Sequence, residues 1–122
     1  MIMSLKAATA VAIIAACLAV AILPASAEFF GWQVANVPYW DVLNVRAYPA
    51  NGSAILVAYP NGAPLSLTGR CTGGLDLNAI NGWPAAQQAA AVRYRWCEVW
   101  VDPLGNGNFR SGWVYGKFIR PL

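Results

Sequence analysis

The chain contains no histidine and only five acidic residues. Without an imidazole to take a nucleophile's proton, Ser-His-Asp and Cys-His catalysis are excluded. The carboxylates are Glu28, Asp41, Asp76, Glu98 and Asp102. Glycoside hydrolysis needs two of them facing one cleft. Only Glu98 and Asp102, around one strand end, come up for that role. Nothing marks them as a pair, and each carboxylate is expected to cap a turn or face solvent. Calcium and phosphate signals also fail. Asp76-Leu77-Asn78 opens like a calcium loop, but Ile80 stands where a ligand belongs and Asn81 where glycine does. Asp102 to Asn108 has Leu104 at a ligand position, and neither stretch has the closing glutamate. Gly105-Asn106-Gly107 never completes a G-x-G-x-x-G, and there is no P-loop lysine. Charged residues are 11% of the chain, with a net charge of +3, too weak an excess for a nucleic-acid partner. The expectation is a protein with no cofactor, no metal and no enzymatic activity.

Cysteine is scarce as well, at three residues. Long apolar runs are limited to one, Ala7 to Leu23, after a start with a single positive charge at Lys6. Pro24 breaks the run, and Ala25-Ser26-Ala27 supplies the small-residue pattern of a signal-peptidase site. Residues 1–27 therefore read as a secretory signal of bacterial form, cleaved after Ala27, leaving no stable membrane span. Ile14-Ala15-Ala16-Cys17 resembles a lipobox, so a lipoprotein anchored at Cys17 is the alternative to a periplasmic or secreted protein. The apolar run continues past Cys17, which favours the free form. After cleavage only Cys71 and Cys97 remain, an even pair in an exported chain, and a disulfide between them is expected. Two thiols so far apart lack the spacing of a zinc site.

What is abundant is short alternating segments separated by turn residues. In Asp41 to Tyr48, Leu43, Val45 and Ala47 share one face, and Asn44, Arg46 and Tyr48 the other, the period of a half-buried strand. Pro49-Ala50-Asn51-Gly52-Ser53 and Pro60-Asn61-Gly62-Ala63 are turns around a second strand, Ile55 to Tyr59. Leu65 and Leu67 alternate with Ser66 and Thr68 in a third, leading to Cys71. Tyr94 to Val101 and Gly112 to Tyr115 are two more, with Cys97, Val99 and Val101 opposed to Trp96, Glu98 and Trp100. Gly116-Lys117-Phe118-Ile119 makes a tight turn that returns Phe118 or Ile119 to the core. Between the cysteines, Pro84 to Ala91 is the one helical stretch after the signal, rich in alanine and glutamine. Such a short helix needs the disulfide and packing from Trp83 or Val92 to hold it. Short strands at close spacing argue an all-β domain, a small barrel, with a short helical insertion between Cys71 and Cys97.

Aromatic residues are dense, with six tryptophans and five tyrosines. Phe29-Phe30-Gly31-Trp32 either packs along the barrel or stays exposed for a partner, and packing is favoured because exposed aromatics cost solubility. The remaining aromatics are either core and rim packing or the lining of a groove. For a groove, the residues are Tyr39, Trp40, Tyr48, Trp96, Trp100 and Trp113, beside Arg46, Arg70, Arg93 and Arg95. Flat aromatics next to guanidinium groups suit a peptide or a glycan.

Three segments in order resemble the bacterial SH3 domain family. Leu43-Asn44-Val45-Arg46-Ala47-Tyr48-Pro49 is like the family's opening "L-N-V-R-x-x-P". Tyr59 to Gly69 is like its "L-x-x-G-x-x-V-x-V-x-G" hairpin. Trp96-Cys97-Glu98-Val99, then Gly112-Trp113-Val114 and Lys117-Phe118-Ile119, is like its "W-x-x-V…G-W-V…Y-L" ending. The resemblance implies an SH3-like, partly open barrel of about five strands. It spans residues 41–122, behind an N-terminal extension at 28–40, and carries a longer insertion than the family's usual loop at about 72–95. It also implies a non-enzymatic exported binding module for a cell-envelope glycan such as peptidoglycan, or for an envelope protein. The alternative is a structural envelope protein that joins copies of itself as a homo-oligomer.

Overall fold

The structure, a computed structural model, describes Phe30–Leu122. The signal segment, its cleavage point after Ala27, Cys17 and Phe29 lie outside the described residues. The strands are β1 (Phe30–Val34), β2 (Leu43–Arg46), β3 (Ile55–Tyr59), β4 (Pro64–Cys71), β5 (Leu75–Asp76), β6 (Trp96–Val101), β7 (Arg110–Tyr115) and β8 (Ile119–Pro121). One short helix, α1 (Ala85–Val92), lies between β5 and β6. Every strand pairing is antiparallel. The order is β3-β2-β7-β6-β4-β1-β8, with β5 paired to β4.

This corrects the sequence expectation in two ways. The sheet has eight strands rather than about five, and it is an open sheet where a partly open barrel is expected. The five strands expected from alternation are β2, β3, β4, β6 and β7. β1, β5 and β8 are the additions. β1 forms from part of what the sequence marks as an extension, and it sits between β4 and β8. Its Trp32 and Val34 enter the core while Gly31 and Gln33 face away, so the segment obeys period two once a neighbour exists on each side. Trp32 is 2% exposed and Phe30 packs against the core. Phe30 and Trp32 are thus used internally, the packing alternative.

The inner face carries the alternating residues in full. Leu43 and Val45 on β2, Leu65 and Leu67 on β4, Cys97, Val99 and Val101 on β6, Val114 on β7 and Ile119 on β8 are all buried. They belong to one cluster with Trp32 and Val34, so the sheet curls round its own inner face. Each fully buried valine or leucine contributes about 1.5–3 kcal/mol relative to exposure.

Five residues of β4, Leu67 to Cys71, span what three residues of β6, Val99 to Cys97, span. The bulge is built on Gly69, whose φ of 108° is in the region open to glycine. A Cβ there would also meet the Phe30 ring at 2.9 Å. Beyond the bulge, Cys71 lies directly opposite Cys97, and the two form the expected disulfide. Such a bridge points to an extracytoplasmic protein. Among the described residues, no helix is long and apolar enough to cross a membrane.

The segment between the cysteines is part of the core rather than a decoration. Leu77 and Ile80, on a 3₁₀ turn (Leu77–Ile80), and Val92, at the end of α1, are all buried. Asp76 caps that turn, accepting from the Asn78 N–H at 2.9 Å. The carbonyl of Pro84 accepts from the N–H groups of Gln87 and Gln88 at 2.9 and 3.0 Å and starts α1. Val92 supplies the expected packing, whereas Trp83 is 47% exposed. The C-terminal end of α1 then presses on Gly116. Any Cβ there would collide with the carbonyl oxygen of Val92, while the Gly116 N–H donates to the Arg95 carbonyl at 2.7 Å.

Candidate functional site

The outer face of the sheet is set by the same alternation. Register places Trp96 opposite Tyr115, Glu98 opposite Trp113, and Trp100 opposite Ser111. On the other sides, Arg46 of β2 lies opposite Trp113, and Ser66 of β4 opposite Trp100. A row of aromatic and polar side chains therefore runs along this face.

A groove of ≈ 490 Å³ opens at the Trp96 end. Three aromatic residues line it: Trp96, Tyr115 and Phe118. The Trp96 and Tyr115 rings are 5.3 Å apart and tilted, and Tyr115 and Phe118 are 6.4 Å apart. Such tilted contacts fix the rings relative to one another. Amides from Asn36, Asn44 and Asn51 line the groove with Arg46, Lys117 and Asp41. Asn44 and Arg46 reach it because they occupy the outward positions of β2. The Arg46 guanidinium is held by donation to the Ser53 carbonyl at 2.9 Å. Lys117 Nζ lies 5.6 Å from the Phe118 ring centre.

Residues 35–42 form one wall of the groove, and hydrogen bonds fasten them to the 3₁₀ turn Gly116–Phe118. The Ala35 N–H donates to the Phe118 carbonyl at 2.8 Å, and Asn36 Nδ2 to the Lys117 carbonyl at 3.3 Å. Asn36 adopts φ 61°, a left-handed conformation that asparagine tolerates. At the tip of this wall the Asp41 N–H closes a turn onto the Pro38 carbonyl at 2.9 Å. Tyr39 and Trp40 occupy that turn, 91% and 75% exposed, with their rings edge to face at 4.9 Å.

The six aromatics singled out in the sequence therefore divide. Trp96 lines the groove. Tyr39 and Trp40 stand on the turn between Pro38 and Asp41, both of which line it. Tyr48 is exposed on the loop that also carries Asn51, where Ser53 Oγ donates to the Tyr48 carbonyl at 2.8 Å. Trp113 is 9% exposed, with the Arg70 guanidinium 5.2 Å from its ring centre. Trp100 is four residues along β6 from Trp96, ~13 Å away at the usual rise per residue. It belongs to the far end of the row and does not line the groove. Of the four arginines, Arg46 alone lines it. Tyr115 and Phe118 were read from sequence as strand and turn residues. Tyr115 shows its role only through its register with Trp96. Phe118 shows it because Ile119 is the residue that the turn buries, which leaves Phe118 half-buried at the edge of the core.

Glu98 and Asp102 do not form a pair. The bulge at Gly69 brings both Thr68 and Arg70 to Glu98: Thr68 Oγ1 donates at 2.9 Å and the Arg70 guanidinium at 3.3 Å. Asp102 instead accepts from the backbone N–H groups of Asn106 and Gly107 at 3.2 and 2.8 Å, closing the β6–β7 loop. Among the described residues, Asp41 is the one carboxylate lining the groove. Among the described residues no group of three or more His, Cys, Asp or Glu side chains converges as a metal site would require. The groove offers flat aromatic faces beside amides and cations, the equipment for stacking and hydrogen bonding to a polar ligand. In comparisons with known proteins, no family model matches the chain, and no curated protein and no solved structure is significantly similar to it.

Proposed function

We propose that this protein is an exported, non-enzymatic binding module of SH3-like type, and that its groove takes a cell-envelope glycan, peptidoglycan. The observation that carries this reading is the joint lining of one groove by Trp96, Tyr115 and Phe118 and by Asn36, Asn44 and Asn51. A sugar ring has apolar faces that stack on aromatics and equatorial hydroxyls that pair with amides at the edge. Arg46 and Lys117 add cations for the carboxylates that peptidoglycan carries. The SH3-like reading is supported by where its motifs fall. The opening motif starts on β2, the hairpin motif runs into β4, and the closing motifs lie on β6, β7 and the 3₁₀ turn that follows. The disulfide supports a periplasmic or secreted address.

The test is co-sedimentation of the chain from Glu28 onward with insoluble, protein-free peptidoglycan. Depletion from the supernatant, reversed by soluble glycan fragments, is the expected result. Full retention in the supernatant at saturating peptidoglycan would overturn the reading.

A further inference from the structure

We propose that β3 is the seam through which two copies of this chain join, strand to strand, in a two-fold dimer. The two ends of the open sheet are built differently. β8 is three residues long and carries Arg120 and Pro121, both of which block further strand pairing. β3 at the other end is Ile55-Leu56-Val57-Ala58-Tyr59, with neither a charge nor a proline. Among the described residues β3 pairs with β2 alone, so its second edge presents unpaired backbone groups. An edge of this composition is a template for another strand.

The side chains at this edge show the same incompleteness. Leu56, Val57 and Tyr59 pack against the core yet remain partly exposed, and Ile55 is 55% exposed. The core is thus covered less well here than under β4, β6 or β7, where the inward residues are buried. A strand added beside β3 extends the sheet and covers this fringe.

The occupant is a second copy because β3 is complementary to itself. Antiparallel pairing about a two-fold axis at Val57 sets Val57 against its own symmetry mate, Leu56 against Ala58, and Ile55 against Tyr59. All of these are apolar or aromatic cross-strand pairs, which stabilise a sheet. The chain's net charge of +3 does not oppose the contact, since no charged residue lies in the seam. Pro60 follows immediately and limits the seam to these five residues. The contact is isologous, as a two-fold requires. The groove lies on the outer face and is separate from this edge, so two copies would present two grooves to one polymer.

The experiment is sedimentation equilibrium of the chain from Glu28 onward, which holds every strand and the whole core described above. It is run across the micromolar range beside an Ile55→Lys/Ala58→Lys variant. Both substituted side chains are exposed, so the fold is kept, which an unchanged circular dichroism spectrum verifies. The wild type is expected to dimerise, and the variant to lose at least about tenfold in dimer affinity. Amide exchange over Ile55–Tyr59 is expected to slow as wild-type concentration rises. A wild type that stays monomeric, a folded variant that dimerises equally well, or exchange at β3 independent of concentration would each overturn the proposal.

Discussion

Reducing the Cys71–Cys97 bridge while leaving both residues in place isolates the cross-link from the packing of the two buried sulfurs. The cysteines are 26 residues apart. In the chain-entropy treatment, a loop of that size limits the unfolded ensemble by about 3.5 kcal/mol. A domain of this length has a total stability of about 5–14 kcal/mol, from roughly 0.05–0.15 kcal/mol per residue. The reduced protein should therefore remain folded at room temperature but melt roughly 15–25 °C lower. It stays folded because the loop has anchors of its own in Leu77, Ile80 and Val92, all buried in the core. The assay is a thermal melt followed by circular dichroism, with and without a phosphine reductant, and reduction verified by thiol alkylation and mass measurement. A verified reduced protein that melts within about 3 °C of the oxidised one would refute the reasoning about the loop. Loss of the near-ultraviolet tryptophan signal at room temperature would refute the reasoning about the anchors.

Other substitutions test the packing that positions the groove. Gly116→Ala forces a methyl group against the Val92 carbonyl and should cost about 1–3 kcal/mol, visible as a lower denaturation midpoint. Gly52→Ala, where the new Cβ meets nothing within 4 Å, is the control and should be neutral or stabilising by up to about 1 kcal/mol. Trp32→Ala removes a core side chain and should cost about 3–5 kcal/mol, whereas Trp40→Ala, on an exposed turn, should change stability by less than about 0.5 kcal/mol. Equal costs for the two tryptophans in urea titrations would contradict the assignment of one to the core and the other to the groove's rim.

Most of the strands that the sequence displays have buried inward residues, and β3, at the sheet's edge, is legible instead as an apolar run between two turns. β2, β4 and β6 alternate cleanly because each has a neighbour on both sides and a core beneath it. β1 is harder to see because its alternation covers only five residues and includes a glycine. β8 is three residues long and ends in proline, and β5 has two residues, so neither carries a readable period. β8 depends on β1, which is distant in sequence, and β5 on β4, from which only three residues separate it. The helical stretch was legible from composition, but its share in the core was not. Val92 sits at the end of an alanine-rich run, and its carbonyl lies against Gly116, whose missing side chain reads as a turn signal rather than a contact.

The candidate site was legible only in part for a related reason. Alternation identifies Trp96, Glu98 and Trp100 as one outward face, and that is where they are. It does not say which end of the face is hollow. The hollow arises where residues 35–42 fold back onto the Gly116–Phe118 turn, through the hydrogen bonds of Ala35 and Asn36. Trp113 illustrates the opposite outcome, since it faces outward yet is covered by Arg70, whose position depends on the Gly69 bulge.

The decisive measurement is peptidoglycan binding by the wild type and by two single variants, Trp96→Ala and Trp100→Ala. Trp96 lines the groove and Trp100 stands ~13 Å away on the same strand face. The groove account predicts that Trp96→Ala weakens binding by at least about thirtyfold, the effect of removing an aromatic anchor worth ~2 kcal/mol. It predicts wild-type affinity for Trp100→Ala. Equal affinity for Trp96→Ala and wild type, or loss confined to Trp100→Ala, would contradict it.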